Sequence, residues 1–291
     1  MNLCPSRISS NAEQKRKPTT PKRLPKSKIF PFMKLPAEIR NMIYTYTLTD
    51  ASGINLVAIF KHRRRAVERI SAEAQFNIGG DQYYSINRIN DDVRAKYEEP
   101  TALVPSLLAV SKQIHQEGRD ILYANEFIFA DTFALYSFMI NLGPAGATYL
   151  KKLRLMGWGY GRAMKAYNHS CFATLVWATN LESFRFDKTS GYSRNPKGAA
   201  EQLYRDAFPW LEAVGVAKGK VDAALEVLQI SEDVFDHPYW HNSQRRTVSG
   251  EEGLEKFREG LGRLLGAQQK RIMAKPVKKR KIAKDGVTDE L

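Results

Sequence analysis

Leu35-Pro36-Ala37-Glu38-Ile39-Arg40-Asn41-Met42-Ile43-Tyr44 and, further along, Leu107-Leu108-Ala109-Val110-Ser111-Lys112-Gln113-Ile114-His115-Gln116-Glu117-Gly118-Arg119 share a pattern: a Glu-x-Arg set inside an amphipathic segment. Pro36 suits a first helical position, where its missing N–H would have no partner anyway. Ile39, Met42, Ile43 and Tyr46 recur at helical steps, which predicts a stripe facing a core. The second stretch predicts a helix over 107–124 with Leu107, Val110, Ile114, Ile121 and Leu122 on one side. Gly118 costs such a helix about 1 kcal/mol relative to alanine, so its place inside the segment points to a close helix contact.

Glu38 and Arg40 stand two positions apart, as do Glu117 and Arg119, so on a helix each pair diverges. The four charges either cross between the helices, Glu38 towards Arg119 or Glu117 towards Arg40, or point separately into solvent.

The two Glu-x-Arg stretches, followed by Ile121-Leu122-Tyr123-Ala124-Asn125-Glu126-Phe127-Ile128-Phe129, resemble the fungal "two-EXR" family over about residues 30–157. Members are described as F-box-like, because Leu35-Pro36-Ala37-Glu38-Ile39 is similar to the opening helix of an F-box. The resemblance implies that Leu35, Pro36, Ile39 and Ile43 dock a ubiquitin-ligase adaptor of the cullin type. Glu38, Arg40, Glu117 and Arg119 are then family-motif residues with a structural role.

A chain of 291 residues with 43% hydrophobic residues is long and apolar enough to bury a core. Its net charge of +14 is unevenly placed. Residues 1–34 carry nine Lys/Arg against one acid and residues 268–291 eight against three, which leaves only +1 for everything between. Two distant cysteines, Cys4 and Cys171, offer neither a disulfide framework nor a cysteine zinc site and suit a reducing compartment. No apolar run has the length of a membrane span or the character of a secretory signal.

Residues 1–29 are rich in Ser, Pro, Thr and Lys and are expected to be a disordered basic arm. Its Lys15-Arg16-Lys17 and Lys22-Arg23 clusters leave open a two-part nuclear import signal or a solvated linker. Gly53 to Phe60 reads as a strand. Lys61 to Arg65 is a basic run, read either as a phosphate contact or as a solvated strand end. Gln75 to Ile86 reads as a hairpin around Gly79-Gly80-Asp81, with Tyr83 and Tyr84 on opposite faces, and residues 87–105 as a loop.

Beyond residue 105, helix and strand alternate. Strands are predicted at Glu126–Ala130, Lys152–Met156, Ser183–Asp187 and Leu225–Ile230, starting 26, 31 and 42 residues apart. Helices are predicted over 132–149, 169–179 and 197–207, with a separate segment over 209–224. The pattern implies an α/β fold with an irregular, leucine-rich-repeat-like helix–strand region, and the resemblance implies an F-box-like helical element at its start: a two-EXR-like domain over 30–157 and, in the same globular unit, a continuing α/β repeat region over 158–249. Residues 233–249 read as a loop. An amphipathic helix over 250–272 carries Leu254, Phe257, Leu261, Leu264 and Leu265, but Gly253, Gly260 and Gly262 weaken it in isolation, so it needs a surface to pack on. A disordered basic tail, 273–291, contains Lys278-Lys279-Arg280-Lys281, which reads as a nuclear-localisation signal for an import receptor.

No set of residues reads as catalytic machinery or a cofactor site. His237 and His241 flank Pro238, which argues against two ligands on one helix face. His169 and Cys171 diverge on a helix, and Cys171 reads as a small buried residue. His115 reads as structural. Gly157-Trp158-Gly159-Tyr160-Gly161 lacks the third glycine of a dinucleotide fingerprint and reads as a turn displaying Trp158 and Tyr160. The expectation is a nuclear, or nucleocytoplasmic, non-enzymatic protein-interaction module. The alternative is a nucleic-acid- or chromatin-associated protein that binds through its basic tails.

Overall fold

Alternation in the short strands decides the architecture. In Lys152-Leu153-Arg154-Leu155 and Ser183-Phe184-Arg185-Phe186, every second residue is apolar, so each strand has one dry and one polar face. The computed structural model describes residues 30–61, 64–75, 99–158, 162–187, 195–235, 239–241, 244–246 and 249–273.

The chain forms two units, Met1–Arg40 and Asn41–Leu291. In the first, a 3-10 turn at Phe32–Lys34 leads through Leu35 and Pro36 into the opening of helix α1 (Ala37–Leu48). There the Arg40 guanidinium donates to the Leu35 carbonyl at 2.7 Å.

In the second unit, β1 (Ile54–Lys61) pairs with the antiparallel edge strand β2 (Arg64–Arg69) and, in parallel, with β3 (Glu126–Phe129). Strands β4 (Lys152–Leu155), β5 (Ser183–Phe186) and β6 (Leu228–Ile230) then add in parallel, giving the order β2-β1-β3-β4-β5-β6. The connections contain α2 (Lys112–Tyr123), α3 (Thr132–Ala147), α4 (Arg162–Thr174), α5 (Pro196–Lys218) and the short α6 (Ala223–Val227). Phe127, Leu153, Phe184 and Leu228 stand in one register row, and Phe129, Leu155, Phe186 and Ile230 in the next. Both rows belong to one core with Phe133, Phe172 and Trp210 from α3, α4 and α5. The rings of Phe184 and Phe186 lie 4.5 Å apart, and Trp210 meets Phe184 edge-on at 5.3 Å.

The helix expected over 250–272 is α7 (Gly250–Met273). It has the surface its glycines require: Phe257 and Leu261 are buried, and Phe257 pairs with Phe235 at 5.9 Å. A Cβ at Gly253 would overlap Phe235, so the glycine is what lets the helix come this close.

Several expectations are corrected. The helix read over 107–124 is broken: a 3-10 turn covers Pro105–Ala109, and α2 starts only at Lys112, because the Ser111 hydroxyl caps the Ile114 N–H at 3.2 Å. The break read near 208 is absent. Helix α5 continues through Pro209, its second half held on the core by Trp210, Leu211 and Val214, and ends at Gly219 with φ 68°. Strand β2 occupies Arg64–Arg69, where only a charge run was read; charged side chains are common on edge strands. Residues 72–75 form a helical turn rather than the start of a hairpin, and the remainder of that hairpin, Tyr83 and Tyr84 included, lies outside the described residues. The loop read over 233–249 holds two short antiparallel strands, β7 (Tyr239–His241) and β8 (Gln244–Arg246).

Candidate functional site

Helix α1 buries a different face from the one its sequence suggests. Tyr44 and Leu48 are fully buried, whereas Ile39, Met42 and Tyr46 of the expected core stripe are 42%, 52% and 80% exposed. The reason lies on α2. Gly118 has no side chain, so Leu108, Leu48 and Tyr44 close over it: a Cβ there would fall 2.6 Å from Leu108 Cδ2 and 3.3 Å from Tyr44 Cδ1. The close contact expected at this glycine is present. The Tyr44 hydroxyl, carried inward, donates to Glu117 Oε2 at 3.0 Å, and Gln113 Nε2 donates to Oε1 of the same carboxylate at 3.1 Å.

The second motif therefore helps hold the packing of α1 on α2. Glu117 receives the tyrosine, while Arg119 donates to Asp120 at 3.0 Å and lays its guanidinium 3.7 Å from the centre of the Tyr149 ring. Just beyond α2, the buried Asn125 side chain donates to the Leu48 carbonyl at 2.8 Å and the Leu122 carbonyl at 2.7 Å, and accepts from the Asp50 N–H at 2.9 Å. One carboxamide thus satisfies carbonyls at the ends of two helices. Asp50 in turn accepts from Ser52 and pairs with Arg69 of β2. Burial works against the Asp50 charge, but the Ser52 and Arg69 donors outweigh it and hold the carboxyl below its usual value.

Of the residues expected to dock a partner, Pro36 and Ile39 are exposed, and Leu35 and Ile43 are half-buried. Glu38 is exposed. In the second unit, Met42 and Tyr46, four residues apart on α1, form an open apolar pair on one helix face. Lys278, Lys279, Arg280 and Lys281 lie outside the described residues, as do Cys4, Tyr160 and His237.

Trp158 is 1% exposed and packs on Phe172 and Phe186, so it is not displayed for a partner; a tryptophan directly after a core strand is drawn into the aromatic cluster that the strand begins. Cys171 is fully buried, and burial, with the Asp131 carboxylate nearby, pushes its thiol well above the usual value, away from nucleophile chemistry. His115 and His169 are exposed. In the basic run, the Arg65 guanidinium lies 4.9, 5.6 and 5.3 Å from the ring centres of Phe133, Tyr136 and Tyr167.

A cleft of about 810 Å³ opens at the start of the parallel strands, lined in part by Asp120, Glu126, Lys152, Ser183 and Gln229. Ser183 has no hydrogen-bonded base there among the described residues.

A family model described as "Domain of unknown function (DUF7730)" matches residues 24–169, a span that runs from before α1 into α4. No curated protein and no solved structure matches the chain.

Proposed function

We propose that this chain, which belongs to the DUF7730 family, is a non-enzymatic protein-interaction module that docks a partner through α1. The observation that carries this reading is the exposure of Met42 and Tyr46 on a helix whose opposite side is anchored by Tyr44 and Leu48. Large apolar groups aligned on one exposed helix face form a groove-binding ridge, which is how amphipathic helices engage partners. In the two-EXR reading, this ridge is the F-box-like element and the partner a cullin-ligase adaptor. The strands and helices that follow form a degenerate leucine-rich-repeat-like array that presents a substrate. Basic clusters in the two tails supply nuclear localisation through an import receptor.

Affinity capture with the full chain and with Ile39→Ser/Tyr46→Ser tests the docking. Both side chains are exposed, so the variant keeps its fold, which circular dichroism checks. Recovery of a cullin-ligase adaptor by the parent but not by the folded variant is the expected result. Equal recovery, or no adaptor in either, sinks the reading.

The partition of charge favours a second reading, association with nucleic acid through the tails, which carry nearly all of the +14. It predicts affinity for duplex DNA that falls steeply with salt and is lost when the tails are neutralised.

A further inference from the structure

The two halves of the sheet treat their second face differently. Over β1 and β3 that face is closed: Val57, Ile70, Ala74 and Ala130 pack together, and the buried Gln75 side chain donates to the Leu56 and Ile128 carbonyls. Parallel strands are ordinarily covered in this way on both sides. Over β4, β5 and β6 the same face carries Lys152, Arg154, Ser183, Arg185 and Gln229. Lys152, Arg185 and Gln229 are exposed.

Arg154, Arg185 and Gln229 are direct register partners on neighbouring strands. Asp187, just past β5, holds both arginines by the same atom. Its carboxylate takes Arg154 Nε at 3.0 and 2.9 Å and Arg185 Nε at 3.3 Å, with the Asp187 side chain only 17% exposed. Held through Nε, each guanidinium keeps both terminal NH₂ groups without a partner among the described residues. Arginine side chains normally lose freedom when they bind; here that ordering is done in advance by an internal carboxylate. The two guanidiniums outweigh Asp187, while Lys152 is offset by its register partner Glu126.

We propose that the open β4–β6 face binds an acidic segment of a protein partner, its carboxylates received by the terminal NH₂ groups of Arg154 and Arg185. Charge-assisted bonds of this kind are short and directional, and a bidentate carboxylate matches the guanidinium fork. Asp50, Asp120 and Glu126 line the neighbouring cleft and repel carboxylates there, which leaves the arginine pair outside it to receive the acidic residues. This goes beyond docking through α1 and is tested without altering that helix.

The probe is a peptide of alternating glutamate and serine carrying one benzoylphenylalanine, photocrosslinked to the full chain at physiological salt, with the adducts mapped by mass spectrometry. Adducts are expected on residues of β4–β6, and their yield falls about tenfold in Arg185→Gln, the loss of one charge-assisted bond. Asp187→Asn decides between arranged and diffuse attraction. It adds one positive charge, so general electrostatics raises the yield, whereas arginines that lose their anchor lower it. Thermal melts confirm that both variants are folded, and a glutamine-serine peptide gives the background. Adducts confined to the basic tails, no adduct above background, a yield unchanged in Arg185→Gln, or a yield raised by Asp187→Asn overturns the proposal. A thymidine oligonucleotide with a photoreactive base that labels the same face as strongly as the peptide also overturns it, in favour of nucleic acid.

Discussion

The side chain of Asn125 donates to the carbonyl of Leu48 at 2.8 Å, joining the end of α1 to the residue that follows α2. The same carboxamide serves Leu122 and Asp50. Asn125→Ala strands all three backbone groups at a site where Asn125 itself is only 5% exposed. Each buried group left unmet costs about 1–3 kcal/mol, with partial relief from water. Urea unfolding is expected to show a loss of about 2–4 kcal/mol, and Asn125→Asp, which keeps the acceptor but not the donor, recovers only a part.

Gly118 separates two effects that usually travel together. Alanine gains about 1 kcal/mol of helix propensity, and its nearest clash, Leu108 Cδ2, is the end of a flexible side chain. Gly118→Ala is therefore expected to be within about 1 kcal/mol of the parent. Gly118→Val pushes into Leu48 and Tyr44 as well, loses the propensity gain, and is expected to cost about 2–3 kcal/mol. Thermal melts of the two variants measure the gap.

Asp206, buried between α4 and α5, has its carboxyl raised above the usual value by burial, against the opposing pull of Gln202, Arg205, Asn168 and His169. A raised acid contributes stability that is whole below its unfolded value of 3.8 and lost as pH rises through the higher folded value. Asp206→Asn has no such slope. Denaturation across mildly acidic to neutral pH is expected to move the stability difference steadily in favour of the variant as pH rises, and a constant difference refutes the assignment. Asp50, with its value lowered, works in the opposite sense and loses stability as pH falls through its folded value.

Arg65 sits in a three-ring box. Arg65→Ala is expected to destabilise by about 1–2 kcal/mol, from the lost cation–π contacts with Phe133, Tyr136 and Tyr167. The slope of oligonucleotide affinity against salt stays unchanged. A shallower slope restores the phosphate reading of the run.

The strands were legible because their alternation is local. Phe127/Phe129, Leu153/Leu155 and Phe184/Phe186 announce their dry faces without help from the rest of the chain. The orientation of α1 was not, since the segment offers two apolar stripes. The choice of Tyr44 and Leu48 over Ile39, Met42 and Tyr46 rests on the space at Gly118 and on Glu117, both far away in sequence. β2 hid behind charges suited to an edge, and Pro209 suggested a break that burial of Trp210 and Leu211 overrides. The arginine pair was half visible: Arg154 and Arg185 fall on polar faces by alternation, but their shared carboxylate depends on register between strands, which no single segment encodes.

Strands β4, β5 and β6 each pair with the strand just before them in chain order, whereas β3 passes over β2 to pair with β1. During synthesis β3 joins β1 across the long segment that holds β2 and α2, after which β4, β5 and β6 each add to the strand made just before. Only α7 arrives late, to cover Phe235 and the flank of α5. A chain stalled before residue 250 carries every strand of the main sheet but leaves that flank bare, and exposed apolar surface of this kind is aggregation-prone.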